Sequence, residues 1–326
     1  MRFTRPATAA ALAAIVLVTA GCSGSSEPEA TGDGDPTELT LVLTPSVEAD
    51  VLATSGDELA TMLTDELGID VTYYGVEDYT AAVTAFETGQ AQIGMLAPAL
   101  VVNAIDRADA VPILTVERYG SSTYVTQWFT NDPARFCLDE VVTDDEGYTF
   151  CNGTDVSPHV GPVGEDALEL VAPDDTISFV DPTSTSGYYF PVLQLIDLGV
   201  IESPDDLTGA FFAQGHPESV NAVANGEATI GVSFDDARTN VVEENPTVGQ
   251  DVTVFAWSTN IPNDGVAVAG DLSEDLQQRI KDAFLAIAST DDGLTLLDEL
   301  YTVDGFSDPD LDAIDSLRKV LAAFPE

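Results

Sequence analysis

Short apolar stretches that read as strands alternate with amphipathic stretches that read as helices, and they do so in two separate sets. In the first set, residues 39–44 read as a buried strand. Residues 51–67 read as a helix, with Leu52, Leu59, Met62, Leu63 and Leu67 at helical spacing. Residues 69–74 give a strand, Asp78 caps a helix that runs to about Glu87, residues 91–96 give a strand, a helix follows Pro98, and residues 111–117 give a strand. The second set places strands at 176–180, 210–213 and 228–233, with helices at 187–198, 217–225 and 236–244. Strands at 252–258 and 266–268 follow, and from Ser273 onward the chain reads as helical, with Leu276, Ile280, Phe284 and Ile287 on one face. This punctuation predicts α/β folding, with parallel sheets flanked by helices. Two sets predict two lobes. In open α/β sheets a ligand sits beyond the carboxyl ends of the strands, near helix N-termini, so two facing lobes would make a cleft.

The segments outside these sets carry their own signals. Residues 132–175 are polar and rich in Gly and Asp, and they contain Cys137 and Cys151. They read as a loop-rich insertion stapled by a disulfide, which in the chain-entropy picture contributes ~3 kcal/mol. The competing metal site lacks support, because two thiols and the distant His159 do not have zinc-site spacing. At the N-terminus, Arg2 and Arg5 precede a short apolar run over 9–18 and then Thr19-Ala20-Gly21-Cys22. Residues 1–21 read as a signal peptide, too short and wrongly flanked for a membrane span. Cys22 reads as a lipidation site. Residues 22–38, rich in Ser, Gly, Glu and Pro, then form a flexible tether to the membrane on the extracytoplasmic face. Pairing of Cys137 with Cys151 in an oxidising compartment leaves Cys22 as the odd cysteine.

Charge narrows the partners. Ten Lys and Arg stand against 57 Asp and Glu, a net charge of -47, so a nucleic-acid backbone is excluded as a partner. A phosphate-binding Gly-Lys-Ser/Thr loop and a Gly-x-Ser-x-Gly elbow are both absent from the sequence. The strongest local signal is Asp181-Pro182-Thr183-Ser184-Thr185-Ser186-Gly187-Tyr188, between a strand and a helix. Its hydroxyls, the free N–H groups of a helix start and the dipole of that helix make an anion site that needs no Lys or Arg. A plain N-cap would need one hydroxyl, and the run has four. His216, in Gly215-His216-Pro217, opens another helix, where it could donate to an anion with a charge adjustable near neutral pH, or could sit in a surface loop. Asp236 reads as a cap or a ligand contact, and Asp264, in Asn263-Asp264-Gly265, as a turn or a ligand contact. Arg238 reads as one half of a surface ion pair. Tyr79 and Tyr124 lie near strand or crossing ends, where each could pack or hydrogen-bond.

These residues resemble the phosphate/phosphite/phosphonate-binding periplasmic proteins of ABC importers, the PhnD-like family. The likeness runs through Asp78-Tyr79, Glu87-Thr88-Gly89-Gln90, Ile93-Gly94-Met95-Leu96-Ala97-Pro98, the 181–187 loop, Gly215-His216 with Val220, Ala222 and Asn225-Gly226, and Ile261-Pro262-Asn263-Asp264. It covers roughly residues 39–290, and the insertion at 132–175 departs from it. The resemblance implies a periplasmic-binding-protein-like class II fold: two α/β lobes joined by a two-crossover hinge, with the ligand in the interlobe cleft. One lobe would take 39–120 and 255–326, the other 121–254, with crossings near 119–128 and 252–258. It implies that Tyr79, Tyr124, Ser184, Thr185, Ser186 and His216 hold the phosphoryl oxygens. Asp236 and Asp264 stand where carboxylates hold the amine of an aminoalkylphosphonate. The expectation is a monomeric, lipid-anchored solute-binding protein without cofactor or metal, which closes about a small phosphorus oxyanion and docks on a membrane permease. A sensory module with the same ligand and a secreted phosphoesterase are the alternatives. The latter lacks a nearby base, a metal cluster and an elbow.

Overall fold

A computed structural model describes residues 35–157 and 159–324; the expected signal peptide and Cys22 lie outside them. The first lobe opens with β1 (Glu38–Leu43), α1 (Ala49–Leu67), β2 (Asp70–Tyr74), α2 (Tyr79–Glu87), β3 (Ile93–Leu96), α3 (Pro98–Ala108) and β4 (Val111–Glu117). The chain crosses through β5 (Thr123–Tyr124) into the second lobe, which holds β6 (Thr126–Thr130), α4 (Pro133–Phe136), β7 (Val142–Thr143), β8 (Thr149–Phe150), α5 (Glu165–Leu168) and β9 (Ile177–Phe179). A π-helical turn over Thr185–Tyr189 then runs into α6 (Phe190–Asp197), followed by β10 (Phe211–Phe212), α7 (His216–Ala224), β11 (Ile230–Phe234), α8 (Val248–Asp251) and β12 (Thr253–Trp257). The return passes through β13 (Ile261–Pro262) to β14 (Gly265–Val268), α9 (Glu274–Ala288), α10 (Asp291–Tyr301), β15 (Gly305–Ser307) and α11 (Leu311–Leu321).

Each lobe is built on one sheet, in the order β15-β4-β14-β3-β1-β2 for the first and β10-β9-β11-β6-β12-β8-β7 for the second. The sheets are mixed, whereas the alternation of elements predicted purely parallel ones. β14 enters antiparallel between β3 and β4, and β6 enters antiparallel between β11 and β12. These two strands arrive directly from a crossing, without the intervening helix that parallel pairing requires; the edge strands β15, on β4, and β7, on β8, are antiparallel as well. The buried strands are covered on both faces. In β1, Leu39, Leu41 and Leu43 pack with α1, α9 and α10, while the alternate Val42 packs with α2 and α3. Their continuous apolar character follows from that double coverage.

Four expectations change. The strand over 252–258 is β12, wholly within the second sheet, so the chain returns to the first lobe over 258–264 and not at 255. Likewise Trp128, expected near a crossing, is a fully buried member of β6, and the outward crossing covers 118–125. It starts with a two-residue hairpin in which Tyr119 and Gly120 adopt φ of 52° and 68° and Arg118 and Ser121 exchange backbone hydrogen bonds. β5 and β13 pair with each other, so the two crossings run side by side. The helix expected over 236–244 is a 3-10 turn over Ala237–Val241, since Thr239, Asn240 and Val241 favour helix weakly and Pro246 forbids its extension. The tail from Ser273 contains β15 besides its helices.

The insertion is more ordered than a loop. Cys137 and Cys151 are joined, and β7 and β8 extend the second sheet beyond β12. Beside it, Arg238 is 0% exposed, not on the surface. Its Nη1 donates to the carbonyls of Thr149 at 2.9 Å and Val252 at 2.7 Å, its Nε and Nη2 grip the Asp236 carboxylate, and its guanidinium lies 4.9 Å from the ring centre of Tyr148 and 4.6 Å from that of Phe150. Replacing Arg238 with Ala strands a buried carboxylate and two carbonyls, so we expect a loss of about 3–5 kcal/mol of stability, read from chemical denaturation. A loss under about 1 kcal/mol would show that the arginine is not the tie between insertion and lobe.

Candidate ligand cleft

Helix starts bring the polar residues together. α2 begins at Tyr79 because the Asp78 carboxylate accepts from Ala81 N at 2.7 Å, and this turns the Tyr79 side chain inward to 1% exposure. α3 begins at Pro98 directly after β3, leaving the N–H of Ala99 free, and that N–H donates across the cleft to Thr185 Oγ1 at 2.9 Å. In the second lobe the Asp181 carboxylate takes the Thr183 N–H and hydroxyl, both at 2.7 Å, and folds the loop back. Ser184 then caps the next helix, accepting from Gly187 N at 3.1 Å. Gly187 is required here by close packing: a Cβ on it would lie 2.3 Å from Cβ of Val180. Thr126 Oγ1 holds the Ser186 carbonyl at 3.0 Å, so the loop is fixed to the central strand β6.

Tyr79, Tyr124, Ser184, Thr185, Ser186, His216, Asp236 and Asp264 all line one interlobe cleft of about 690 Å³. The Tyr79 hydroxyl lies beside Ser184 yet has no hydrogen-bond partner among the described residues. The Tyr124 hydroxyl lies beside Ser186. Burial, reinforced by the negative charges of Asp181 and Asp264 at Tyr79 and of Asp264 at Tyr124, raises both phenols above their ordinary values, so both stay protonated donors.

His216 is the first residue of α7, and its Nδ1 meets Ser233 Oγ at 2.6 Å. With Ser233 donating, the ring keeps its proton on Nε2 and presents a neutral donor. Burial, helped by the positive charge of Arg118, lowers its pKa to about 3. The charge expected to adjust near neutral pH is therefore fixed at zero.

The acids are paired. Asp264 bonds Arg118, and Asp236 holds Arg238. Burial alone would raise the Asp236 carboxyl, but the charge and hydrogen bonds of Arg238 outweigh it and hold it low. For Asp264, burial wins over Arg118 and the shift is upward.

Three cleft residues were missed by the sequence reading. Arg118 follows β4 and puts a cation in a site expected to need none; its place at the carboxyl end of a strand was the available signal. Asp235 has a side chain 3% exposed, with Oδ2 on His159 Nδ1 and Oδ1 unpartnered among the described residues. Burial, then the neighbouring Asp236 charge, raises its carboxyl, against the pull of His159. His159 comes from the insertion, where residues 154–157 with His159 and Val160 line the cleft, and its ring packs 4.7 Å from that of Trp257. Only the tertiary fold places that segment there. Further out the mouth is acidic, with Glu48, Asp144, Glu146, Asp155, Asp298 and Glu299.

The neutral His216 sets a pH limit. Its native pKa lies near 3 and its ordinary value is 6.5, so the unfolded state takes the proton first as pH falls. Its contribution is complete above 6.5 and is lost progressively down toward 3, by roughly 3–5 kcal/mol. His216→Asn should flatten that part of the stability–pH curve, read by denaturation at a series of pH values. An unchanged acid limb would mean that the ring is charged in the folded protein.

A sequence profile described as ABC transporter, phosphonate, periplasmic substrate-binding protein matches residues 41–314. The phosphate-import protein PhnD of Mycolicibacterium smegmatis is 28% identical over 290 residues, covering 85% of this chain and 80% of that protein. Among solved structures, PhnD1 from Prochlorococcus marinus in complex with methylphosphonate is similar, with a TM-score of 0.70 at 18% identity, over 89% of this chain and 98% of that one. A binding-protein component of an ABC phosphonate transporter from Pseudomonas aeruginosa gives a TM-score of 0.67 at 16% identity, over 88% and 85% of the two chains. These structural likenesses fix the fold as the class II periplasmic-binding arrangement, and the profile fixes the family. The chain belongs to the phosphonate periplasmic substrate-binding proteins of ABC transporters, which capture solutes for import and are not enzymes.

Proposed function

We propose that this chain captures a phosphonate- or phosphite-type oxyanion in the interlobe cleft, closes about it through the paired crossings, and presents it as a monomer to a membrane permease. The observation that carries this reading is the Tyr79 hydroxyl beside Ser184, a buried donor without a hydrogen-bond partner among the described residues. A desolvated donor is costly unless an acceptor meets it, and a tetrahedral oxyanion brings several. Tyr79, Tyr124, Ser184, Thr185, Ser186 and His216 are the donors in this reading. The methylphosphonate bound by the Prochlorococcus protein and the phosphate imported by the Mycolicibacterium protein support the ligand class.

The cleft is far larger than a bare oxyanion, so the reading extends to an organic substituent. An amino group on that substituent is assigned to Asp235 and not to Asp236 or Asp264. The latter two carboxylates are occupied by Arg238 and Arg118, whereas Asp235 keeps one oxygen free and faces an acidic mouth. An aminoalkylphosphonate fits both ends of the cleft on this basis. Lipidation at Cys22 would tether the protein to the outer membrane surface of the cell; Cys22→Ala should then move it from the membrane fraction to the soluble fraction.

Tyr79→Phe removes only the unpartnered hydroxyl. The variant should keep the melting temperature of the wild type while its calorimetric affinity for methylphosphonate falls about 10- to 100-fold, as for loss of one hydrogen bond to a charged group. Equal affinities would remove Tyr79 from the site. Asp235→Asn should weaken 2-aminoethylphosphonate by about tenfold or more and leave methylphosphonate unchanged; parallel losses would end the assignment of the amine.

A further inference from the structure

The cleft lining holds the Arg118 guanidinium and the Asp264 carboxylate; Asp264 acts on the phenols of both Tyr79 and Tyr124, and Asp181 acts on that of Tyr79 as well. Arg118 stands just after β4 and Asp264 just before β14, on the first-lobe side of the two crossings. The guanidinium Nη2 bonds Asp264 Oδ2, and Nε donates to the Tyr301 carbonyl at 2.7 Å. A guanidinium has five N–H donors, and among the described residues only those two bonds engage them. The charge of Arg118 also reaches the second lobe, where it opposes protonation of His216.

An unshielded carboxylate among the donors would oppose any anion. At hydrogen-bond distance it would accept only an anion that brings its own proton, because two bare oxygens repel. Arg118 removes that demand by compensating the charge of Asp264 in place, and it lines the cleft with further N–H groups that no described residue engages.

We infer that Arg118 is a specificity-determining residue, whose pairing with Asp264 lets the cleft take the doubly ionised form of the oxyanion as well as the monoprotonated form. This rests on the oxyanion reading of the cleft. Four groups around the pair stay neutral through the pH range of the test. The phenols of Tyr79 on α2, Tyr124 on β5 and Tyr301 on α10 are all raised by burial, and His216 on α7 is neutral. Among the acids, Asp181 acts on the Tyr79 phenol, and Asp235 and then Asp298 act on that of Tyr119 in the hairpin. His159 and Asp235 sit at the mouth, where their pH response is common to every variant tested.

The test is calorimetric affinity for methylphosphonate between about pH 5 and about pH 9, across the second ionisation of the ligand. In the wild type, affinity should hold or rise along the alkaline limb. Arg118→Gln should lose about tenfold or more on that limb and little on the acid limb, and Arg118→Lys should keep it. Adding Asp264→Asn to Arg118→Gln should restore the alkaline limb, because the carboxylate that demands a proton is gone. Asp264→Asn alone, a near-isosteric change that guards against a folding defect at Arg118, should favour the alkaline limb more than the wild type does. Parallel pH profiles for wild type and Arg118→Gln, failure of the double variant to restore binding, or an acid preference in Asp264→Asn would each overturn the inference. A wild type that binds methylphosphonate at no pH would overturn the oxyanion reading itself, and this inference with it.

Discussion

Four helix starts facing one buried volume are the constraint on which the cleft depends. α2, α3, the turn leading into α6, and α7 begin at Tyr79, Pro98, Thr185 and His216, and each leaves N–H groups or hydroxyls near the gap between the lobes. A helix start carries about half a positive charge and needs no ionised side chain to do so. In a chain with ten basic residues and 57 acidic ones, that is the available way to make a region friendly to an anion. The arrangement follows from topology, because in α/β units every parallel strand hands over to its helix at the same edge of the sheet.

Electrostatics divides the protein into two ranges. Beyond a Debye length of about 8–10 Å the surface charges are screened, and nearer than that the negative field works against any anionic solute. Inside the cleft the fixed charges are matched in pairs: Arg118 with Asp264, Arg238 with Asp236, His159 with Asp235. What remains after pairing is a set of neutral donors, held neutral by burial. Capture therefore depends on short contacts in a desolvated space, where each hydrogen bond counts for more than in water, and not on steering from a distance.

How much of this could be read from residues alone depends on whether the signal was local. The capping Asp78, the Pro98 start and the Ser-Thr-Ser-Gly loop are local chemistry, and the structure brings their residues to one cleft. The strand β6 was hidden because its five residues are all buried and it follows a crossing directly, without the helix that marks its neighbours. Arg238 was misplaced because solvent is the ordinary setting for an arginine, and only the carbonyls of Thr149 and Val252, far away in sequence, make a buried one tolerable. Arg118 was passed over for a related reason. The hydroxyl loop sufficed chemically as an anion site, and nothing in the sequence puts residue 118 next to residue 264.

The donors are divided between the lobes. Tyr79, the N–H groups at the start of α3 and Arg118 belong to the first, Ser184, Thr185, Ser186 and His216 to the second, and Tyr124 lies on the crossing between them. The Ala99–Thr185 hydrogen bond already spans the gap, so the closed arrangement has at least one contact of its own. Apolar side chains cross as well: Val180 packs in the cluster of α2 and α3, and Phe190 packs with Val102 and Leu317. A ligand that meets donors from both sides adds several such contacts at once, and all are lost when the lobes part. In the proposed capture, closure and binding would be a single equilibrium, with the differential affinity of the solute for the closed form setting how far it shifts.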